Sequence, residues 1–406
     1  MAIHGTIRSP RAIYFGSGQR DAVPVIVRQF GTRAFLCSDE RLQQDPKLSA
    51  LVEAIRGTGI QIETYERTVA ELPLECIHEA AGVAKDFNPD VIVGIGGGSC
   101  LDLAKLVSLV LKHGDDLSIF YGEFKVPSPL LPVIAIPTTA GTGSEVTPVA
   151  VLGDPARKTK VGISSPYLVP EISVCDPELT LTCPPKLTAI AGADAMTHAI
   201  EAFTAIKRPF APELALKQVF VGKNIQSDAQ ARVAIAALAG NLKKAVSEGS
   251  DSEAREQVMY GAMAAGLAFG VAGTAAAHAI QYPIGALTKT AHGLGVATLM
   301  PYVMEYNRPV STPEFAEIAR LFGASGTDDE KLADLAIDLV AKLFADIGIP
   351  ATIADLGITE GQLNWVAEQS LLSARLVNNN RRPLDHAALL KIATASFSGD
   401  RDHLRT

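Results

Sequence analysis

The chain has 406 residues, of which 48% are hydrophobic and 20% charged, and its formal net charge at pH 7 is -8. A chain of this length can build more than one hydrophobic core, which favours two domains, and an acidic balance without a basic run argues against a nucleic-acid partner. The five cysteines are scattered along the sequence, so they favour a reducing cytoplasm over a disulfide framework.

Strand and helix patterns alternate through the first part of the chain. Apolar runs predict strands over residues 33–37, 60–65, 91–95 and 133–136, and amphipathic segments predict helices over 47–56, 75–87 and 99–112. Such alternation predicts an α/β domain with a doubly wound, mostly parallel sheet. We assign this domain to residues 1–184.

The pattern changes after about Pro185. Strand patterns disappear, and Ala-rich segments predict helices over 190–205, 228–248, 253–277, 332–347 and 386–396. We therefore predict an all-helical second domain over residues 185–406, with a ligand cleft between the two domains. The sequence contains neither a signal-peptide pattern nor an apolar run long enough to span a bilayer, so we expect a cytoplasmic protein without membrane contact.

A run of three glycines joins a predicted strand to a predicted helix. Gly96, Gly97 and Gly98 allow backbone conformations closed to other residues and a close approach of amide groups to a pyrophosphate. Ser99 opens the helix, whose free amides and dipole favour an anion, and Asp102 lies one turn further on. The pattern is neither GxGxxG nor a P-loop. It predicts a phosphate site; the alternative is a tight connection without a ligand.

Two other strand ends carry polar residues. The hydroxyls and glycines of residues 137–147 predict a second wall of the same dinucleotide site; the alternative is a surface loop rich in turn formers. Asp39 follows the strand at 33–37, where a carboxylate can accept hydrogen bonds from the adenosine ribose and would repel a 2′-phosphate. This position predicts NAD(H) rather than NADP(H); the alternative is a plain turn residue.

One carboxylate and three histidines in the helical part suit a divalent metal. Asp194 and His198 are four residues apart, so a helix places both on one face. His278 and His292 also lie among apolar or small residues, where an imidazole is costly to bury unless something satisfies it. Singly, each histidine is typical of a hydrogen-bonded core residue. Together they predict a Zn or Fe(II) site that binds a substrate oxygen while a nicotinamide exchanges a hydride with the neighbouring carbon.

These segments resemble those of the iron-containing (group III, metal-dependent) alcohol dehydrogenase family, a relative of glycerol dehydrogenase and dehydroquinate synthase. The resemblance is carried by GGGSCLDLAK at 96–105, PTTAGTGSE at 137–145, GADAMTHAIE at 192–201, His278, and His292 with Gly293. Residues 379–383 also look like the family's Asn-Pro-Arg element. The similarity extends from about Pro10 to the last helix.

The resemblance implies reversible, NAD(P)-linked alcohol oxidation by a dinucleotide domain and a helical domain, in a homodimer or larger homo-oligomer. The implied metal ligands, for one Fe(II) or Zn(II) ion, are Asp194, His198, His278 and His292. The implied cofactor residues are Asp39, Gly96, Gly97, Gly98, Ser99, Asp102, Thr138, Thr139, Ser144, Thr147 and Lys160. Lys160 matches the family lysine near the nicotinamide ribose.

Two positions depart from the family pattern. Tyr282 stands where many members carry a proton-relaying histidine, one turn after His278; it either donates a proton or only shapes the pocket. Residues 70–73 replace an Asn-Pro pair whose asparagine contacts the cofactor. Both departures suggest a substrate unlike ethanol or a simple diol.

The sequence leaves three activities open. The first is a metal-dependent NAD(H)-linked alcohol dehydrogenase or aldehyde reductase acting on a metal-bound alcohol or carbonyl. The second is a maleylacetate-type keto-acid reductase, for which Arg375, Arg381 and Arg382 are candidate cationic residues. The third is a carbon-oxygen lyase like dehydroquinate synthase. It would need several cations near the metal, but the stretch from His278 to His292 offers only Lys289.

Overall fold

The computed structural model describes residues 4–155 and 159–405, which separate into two compact units by backbone contacts. The α/β unit comprises residues 8–183 and 215–219, and the helical unit comprises residues 4–7, 184–214 and 220–405. The long stretch of the α/β unit therefore ends at Cys183, and that of the helical unit begins at Pro184. The short segments 4–7 and 215–219 are exceptions to a division into two continuous stretches, and they are too short to carry a periodic sequence pattern of their own.

The strands of the α/β unit form a large sheet and a small sheet. In chain order they are β1 (Ala12–Phe15), β2 (Arg33–Cys37), β3 (Gln61–Tyr65), β4 (Val91–Gly96), β5 (Gly122–Glu123), β6 (Val133–Pro137), β7 (Val149–Asp154), β8 (Thr159–Ser164) and β9 (Ile172–Cys175). The large sheet has the order β1-β9-β6-β4-β2-β3, and all its strands are parallel. In the small sheet, β8 pairs in parallel with β5 and antiparallel with β7. The mostly parallel α/β fold predicted from the sequence is confirmed.

The helices provide the rest of the regular structure. They are α1 (Val23–Arg28), α2 (Arg41–Gln44), α3 (Pro46–Gly57), α4 (Leu74–Phe87), α5 (Gly98–His113), α6 (Pro185–Thr204), α7 (Leu214–Lys217), α8 (Ile225–Ser247), α9 (Ser252–Ala272), α10 (Ala276–Thr288), α11 (His292–Asn307), α12 (Thr312–Leu321), α13 (Asp329–Asp346), α14 (Leu363–Leu371), α15 (Ala374–Val377) and α16 (His386–Ser398). Between residues 184 and 405 the structure contains helices and connecting segments and no strand of either sheet, which confirms the predicted helical second part.

The strand register places the glycine turn beside the end of β6. Gly96, the last residue of β4, pairs with Pro137, the last residue of β6. Because the two strands are parallel, the segments that follow them leave the sheet at the same edge. Both strands are buried along their whole length. Ile92 and Val93 belong to different apolar clusters, as expected when helices cover both faces of the sheet.

Glycines allow close packing of α6, α8 and α9 in the helical unit. A Cβ atom on Gly192 of α6 would lie 2.1 Å from a methyl carbon of Leu242 on α8. A Cβ atom on Gly261 of α9 would lie 2.8 Å from Leu238, also on α8. Side chains at either glycine would push the helices apart. The Ala- and Gly-rich composition of this part therefore serves close helix packing.

The structure corrects one predicted helix. Residues 253–277 were expected to form one helix, but α9 ends at Ala272 and α10 begins at Ala276. Gly273, the residue after α9, has a φ angle of 80°, which favours glycine, and the two helix axes differ by 101°. No single helix of the described residues is long and apolar enough to cross a bilayer, and α9 and α10 meet those requirements only when taken together across this bend.

Candidate functional site

The glycine turn of the α/β unit is built for a close approach of backbone to a ligand. Gly96 has a φ angle of 148°, which favours glycine, and a Cβ atom there would lie 2.5 Å from the Cys100 sulfur. A Cβ atom on Gly98 would lie 2.7 Å from Thr142. Gly97 precedes α5 and provides no side-chain cap for its first amides. The N-terminus of α5, with Ser99 in its first turn, thus keeps donors for an anion.

Thr138 and Thr139 lie against this turn, as the sequence predicted. The Thr138 amide donates to the Gly96 carbonyl at 2.9 Å. Its hydroxyl oxygen is buried and has no hydrogen-bond partner in the part of the chain that the structure describes. A Cβ atom on Gly97 would lie 3.5 Å from the Thr139 hydroxyl. A cradle that side chains would fill, beside an unsatisfied buried hydroxyl, fits the phosphates of a dinucleotide.

Asp39 also lies beside the turn, because its carboxylate is 3.9 Å from where a Cβ atom of Gly96 would stand. Arg41 grips the carboxylate with its Nε and one terminal nitrogen, at 2.8 and 2.7 Å. The Cys100 thiol donates to the same carboxylate at 3.6 Å. Burial opposes ionisation of Asp39, but the Arg41 guanidinium outweighs burial and holds the pKa of that carboxyl below its usual value. Nothing in the sequence had drawn attention to Arg41.

Three other predicted cofactor residues meet around a buried lysine that sequence reasoning missed. The Lys105 ammonium donates to the Ser144 hydroxyl at 2.9 Å and to the carbonyls of Thr147 and Val149 at 3.1 and 2.8 Å. The Asp102 carboxylate lies 3.7 Å from the same ammonium and accepts the Ser144 hydroxyl. This network ties α5 to the segment after β6. The signal was present in the sequence, since Lys105 follows Asp102 by three residues on one helix.

Burial shifts the pKa values of the ionisable groups in and beside this network. Burial lowers the pKa of Lys105 to about 8, although Asp102 and Glu145 oppose the shift. Burial also raises the pKa of Glu145 to about 7, against its own backbone amide and Lys105. Both pKa shifts show that burial disfavours the charged form, as expected for ionisable groups removed from water.

Lys160 lies on β8 and forms an ion pair with Glu71. Glu71 and the following Leu72 have φ angles of 67° and 44°, which are uncommon for residues with side chains. They belong to the segment 70–73, where the family pattern has an Asn-Pro pair. The segment that departs from the family pattern therefore places the Glu71 carboxylate in an ion pair with Lys160.

In the helical unit, Asp194, His198, His278 and His292 converge. Each offers one ligand atom, and these atoms all lie within 4.8 Å of one another. α6 presents Asp194 and His198 on one face, α10 presents His278, and α11 begins at His292. The rings of His198 and His278 stack with centroids 4.8 Å apart, and those of His278 and His292 meet edge to face at 5.1 Å. The structure thus brings together all the residues predicted to hold a metal.

The start of α11 approaches α6 very closely. A Cβ atom on Gly293 would lie 2.6 Å from the Ile190 carbonyl oxygen and 2.9 Å from the Asp194 Cβ atom. Only glycine therefore lets the first turn of α11 pack against α6 here. This contact holds His292 next to Asp194, and it explains the glycine that follows the histidine in the sequence.

The donor set fits a divalent cation. His278 is 3% exposed, and its Nε2 atom is buried without a hydrogen-bond partner among the described residues, whereas its Nδ1 atom bonds to Glu201 at 2.6 Å. An imidazole nitrogen left in this state is costly unless a ligand satisfies it. One carboxylate and three imidazoles within a few ångströms match the ligands of Zn²⁺ and Fe²⁺ in proteins.

Tyr282 lies beside this cluster, with its ring centroid 6.1 Å from that of His292. Burial raises the pKa of the Tyr282 phenol, although Arg375 opposes the shift. Arg375 itself stacks on Phe220, with its guanidinium carbon 4.3 Å from the ring centroid. At neutral pH the tyrosine hydroxyl therefore carries its proton.

Comparison with known families accounts for nearly the whole chain. Residues 10–177 match the iron-containing alcohol dehydrogenase family, and residues 188–397 match the C-terminal region of the same Fe-containing family. The chain belongs to the iron-containing alcohol dehydrogenase family. It is therefore an oxidoreductase acting on CH–OH groups, as the resemblance implied.

Members of the family are similar to this chain from end to end. Long-chain-alcohol dehydrogenase 1 of Geobacillus thermodenitrificans (strain NG80-2) is 34% identical over 399 residues, which cover 96% of this chain and 96% of that protein. The NAD-dependent methanol dehydrogenase of Bacillus methanolicus is 33% identical over 375 residues, covering 92% and 94%. A crystal structure of 1,3-propanediol oxidoreductase is similar with a TM-score of 0.90 at 31% identity, covering 97% of this chain and 100% of that one.

Proposed function

We propose that this protein is a metal-dependent, NAD(H)-linked alcohol dehydrogenase or aldehyde reductase. The observation that carries the proposal is the convergence of Asp194, His198, His278 and His292 to within 4.8 Å. Their ligand atoms would hold one Fe(II) or Zn(II) ion. When bound, this ion would polarise the C–O bond of the substrate, and the nicotinamide would exchange a hydride with the substrate carbon.

The protein residues have distinct tasks in this proposal. The glycine turn and the N-terminus of α5 bind the dinucleotide phosphates, and Thr138 offers its buried hydroxyl there. Asp39 accepts the ribose hydroxyls, which favours NAD(H) over NADP(H). Tyr282 keeps its proton at neutral pH and is the candidate donor to a substrate oxygen. The relative from Bacillus methanolicus, which is named as NAD-dependent, supports the choice of cofactor.

Two observations weigh against the alternative activities. Arg381 pairs with Glu314, and Arg382 donates to the Tyr306 carbonyl at 2.7 Å, so both cations are engaged within the protein. The third candidate, Arg375, stacks on Phe220. For the lyase, Lys289 is the cation in the stretch between His278 and His292, and it is exposed at the end of α10.

A combined metal and activity measurement tests the proposal. Protein purified anaerobically should contain about one Fe or Zn per chain and should oxidise NADH with a short aldehyde. His278→Ala should lose the metal and reduce turnover by at least about a hundredfold, because removing a ligand should cost more than the ~10–100-fold that removing a supporting residue costs. Metal content and NADH oxidation are measured on the same preparations.

The matched control is His386→Ala. His386 is a half-buried histidine at the start of α16 and lies outside the cluster. It should retain metal and turnover, with the same circular dichroism spectrum as His278→Ala. Full metal content and turnover in His278→Ala would refute the proposed site.

A further inference from the structure

We propose that Glu201 is a positioning residue that fixes His278 as a metal ligand, an inference that rests on the proposed metal site. Glu201 lies on α6, three residues after His198 and seven after Asp194. Residues at this spacing share a helix face. One face of α6 thus supplies two ligands and the support of a third.

The Glu201 carboxylate is completely buried and accepts three hydrogen bonds. One oxygen accepts the Ala277 amide at 2.7 Å, and the other accepts the Ala275 amide at 2.9 Å and contacts His278 Nδ1 at 2.6 Å. Backbone amides can only donate, so both carboxylate oxygens act as acceptors. The carboxylate therefore binds the first turn of α10 and its histidine together.

The third hydrogen bond selects one tautomer of His278. Both oxygens of Glu201 already accept backbone amides, so the carboxylate is the acceptor and His278 Nδ1 is the donor of the third hydrogen bond. With Nδ1 as the donor, Nε2 is the ring nitrogen left to offer a lone pair to a cation. It is buried and lacks a hydrogen-bond partner among the described residues. This arrangement matches that of a metal-ligating histidine whose other ring nitrogen donates to a carboxylate.

Glu201 also compensates for the break between α9 and α10. The helix α10 begins after Ala275, which is in a non-helical conformation and provides no side-chain cap. The first amides of a helix need acceptors when they are buried. The carboxylate of α6 satisfies amides of this turn from another helix. His278 is thereby fixed through its backbone and its ring by one residue.

A purely structural role, as a remote cap for α10, is the competing explanation. Replacement of Glu201 would then lower stability without changing affinity for a metal. A positioning role predicts weaker metal binding in a protein that is still folded, because a misoriented or wrongly protonated imidazole is a poor ligand. Metal affinity and the spectrum of the bound metal separate the two explanations.

The experiment uses the full chain stripped of metal with a chelator and titrated with Co²⁺. The dissociation constant and the visible absorption bands, which report the ligand geometry, are recorded for wild type and Glu201→Gln. Glutamine keeps the size but offers only one acceptor oxygen. We expect Co²⁺ to bind about 10–100-fold more weakly to Glu201→Gln, with altered bands.

Glu305→Gln is the control. Glu305 is a glutamate of α11, 1% exposed, that accepts the Arg405 Nε at 2.6 Å. Its replacement should change stability but neither the Co²⁺ affinity nor the bands. An affinity of Glu201→Gln within threefold of wild type would overturn the inference. A wild-type protein that binds no Co²⁺ would overturn the proposed metal site as well.

A second measurement covers the case in which Glu201→Gln does not fold. Apo wild-type protein labelled with ¹⁵N-histidine should give a slowly exchanging, downfield Nδ1 proton that is absent from His278→Ala. Its presence supports donation from Nδ1 to Glu201. Finding the proton of His278 on Nε2 instead would overturn the inference, because that nitrogen could then not act as a ligand.

Discussion

At the scale of single residues, Asp39 and Arg41 bear on the proposed preference for NAD(H). Asp39 alone predicts rejection of a 2′-phosphate, and the structure adds a guanidinium that already grips the carboxylate through two nitrogens. A guanidinium binds phosphate with the same fork geometry. We therefore expect the proposed preference for NAD(H) to depend on Asp39 keeping Arg41 occupied.

Releasing Arg41 should open the site to NADPH. We expect Asp39→Asn to raise kcat/KM with NADPH by about tenfold, because repulsion is removed and a charge-assisted hydrogen bond of about 1.5–3 kcal/mol becomes available. Steady-state kinetics with both cofactors measure the change. The control is the double variant Asp39→Asn with Arg41→Gln, which should lose most of the gain. Equal NADPH use by the single and double variants would exclude a role for Arg41.

A second prediction at this scale concerns Glu145. Burial raises its pKa to about 7 from a usual value near 4.5, so the folded protein binds more protons than the unfolded chain between these values. The stability that Glu145 contributes is complete below pH 4.5 and is lost as pH rises through 7. Glu145→Gln lacks this loss. Its free energy of unfolding should therefore rise relative to that of wild type, by on the order of 3 kcal/mol, between these two pH values.

Urea unfolding at several pH values between 4.5 and 7.5 measures the Glu145 effect. Glu53→Gln, a replacement of an exposed glutamate on α3, is the control. Parallel stability-versus-pH curves for wild type and Glu145→Gln would contradict the prediction. A steeper decline in wild type would show that burial of this carboxyl destabilises the fold at neutral pH.

At the scale of elements, the closeness of α6 and α11 determines whether the proposed metal ligands meet. α6 is held against α8 by Gly192, and α11 against α6 by Gly293. The bend at Gly273 redirects the chain so that α10 brings His278 to the same place. Helix packing at small residues therefore does as much to build the site as the ligands themselves.

Gly293→Ala tests this dependence on packing. The added methyl would meet the Ile190 carbonyl at 2.6 Å, so α11 must shift, and we expect a loss of about 1–3 kcal/mol in stability. Metal affinity should fall with it, because His292 is the preceding residue. Gly240→Ala is the control, since nothing lies within 4 Å of that site on α8 and alanine should stabilise an exposed helix by about 0.5–1 kcal/mol. Urea unfolding and Co²⁺ titration are the measurements, and equal stability of the two variants would contradict the argument.

At the scale of the whole molecule, the sequence specified the fold class and the family. Buried strands read as continuous apolar runs, and the predicted strand 33–37 coincides with β2. The strands β1 and β9, with four residues each, escaped prediction. The break between α9 and α10 also escaped, since a glycine within an Ala-rich segment is compatible with a continuing helix.

The residues of the proposed metal site were predictable because side-chain chemistry and local spacing mark them. Asp194 and His198 are paired by helical periodicity, and His278 and His292 are exceptional for their apolar surroundings. What only the tertiary structure decided is which residues support the predicted site residues in each unit. Glu201 and Lys105 owe their roles to contacts across long sequence separations, as in the pairs Glu201–His278 and Lys105–Ser144. Periodicity describes one element at a time, whereas hydrogen bonds between elements depend on packing, and so the partners of these two residues on other elements become visible only once the chain is folded.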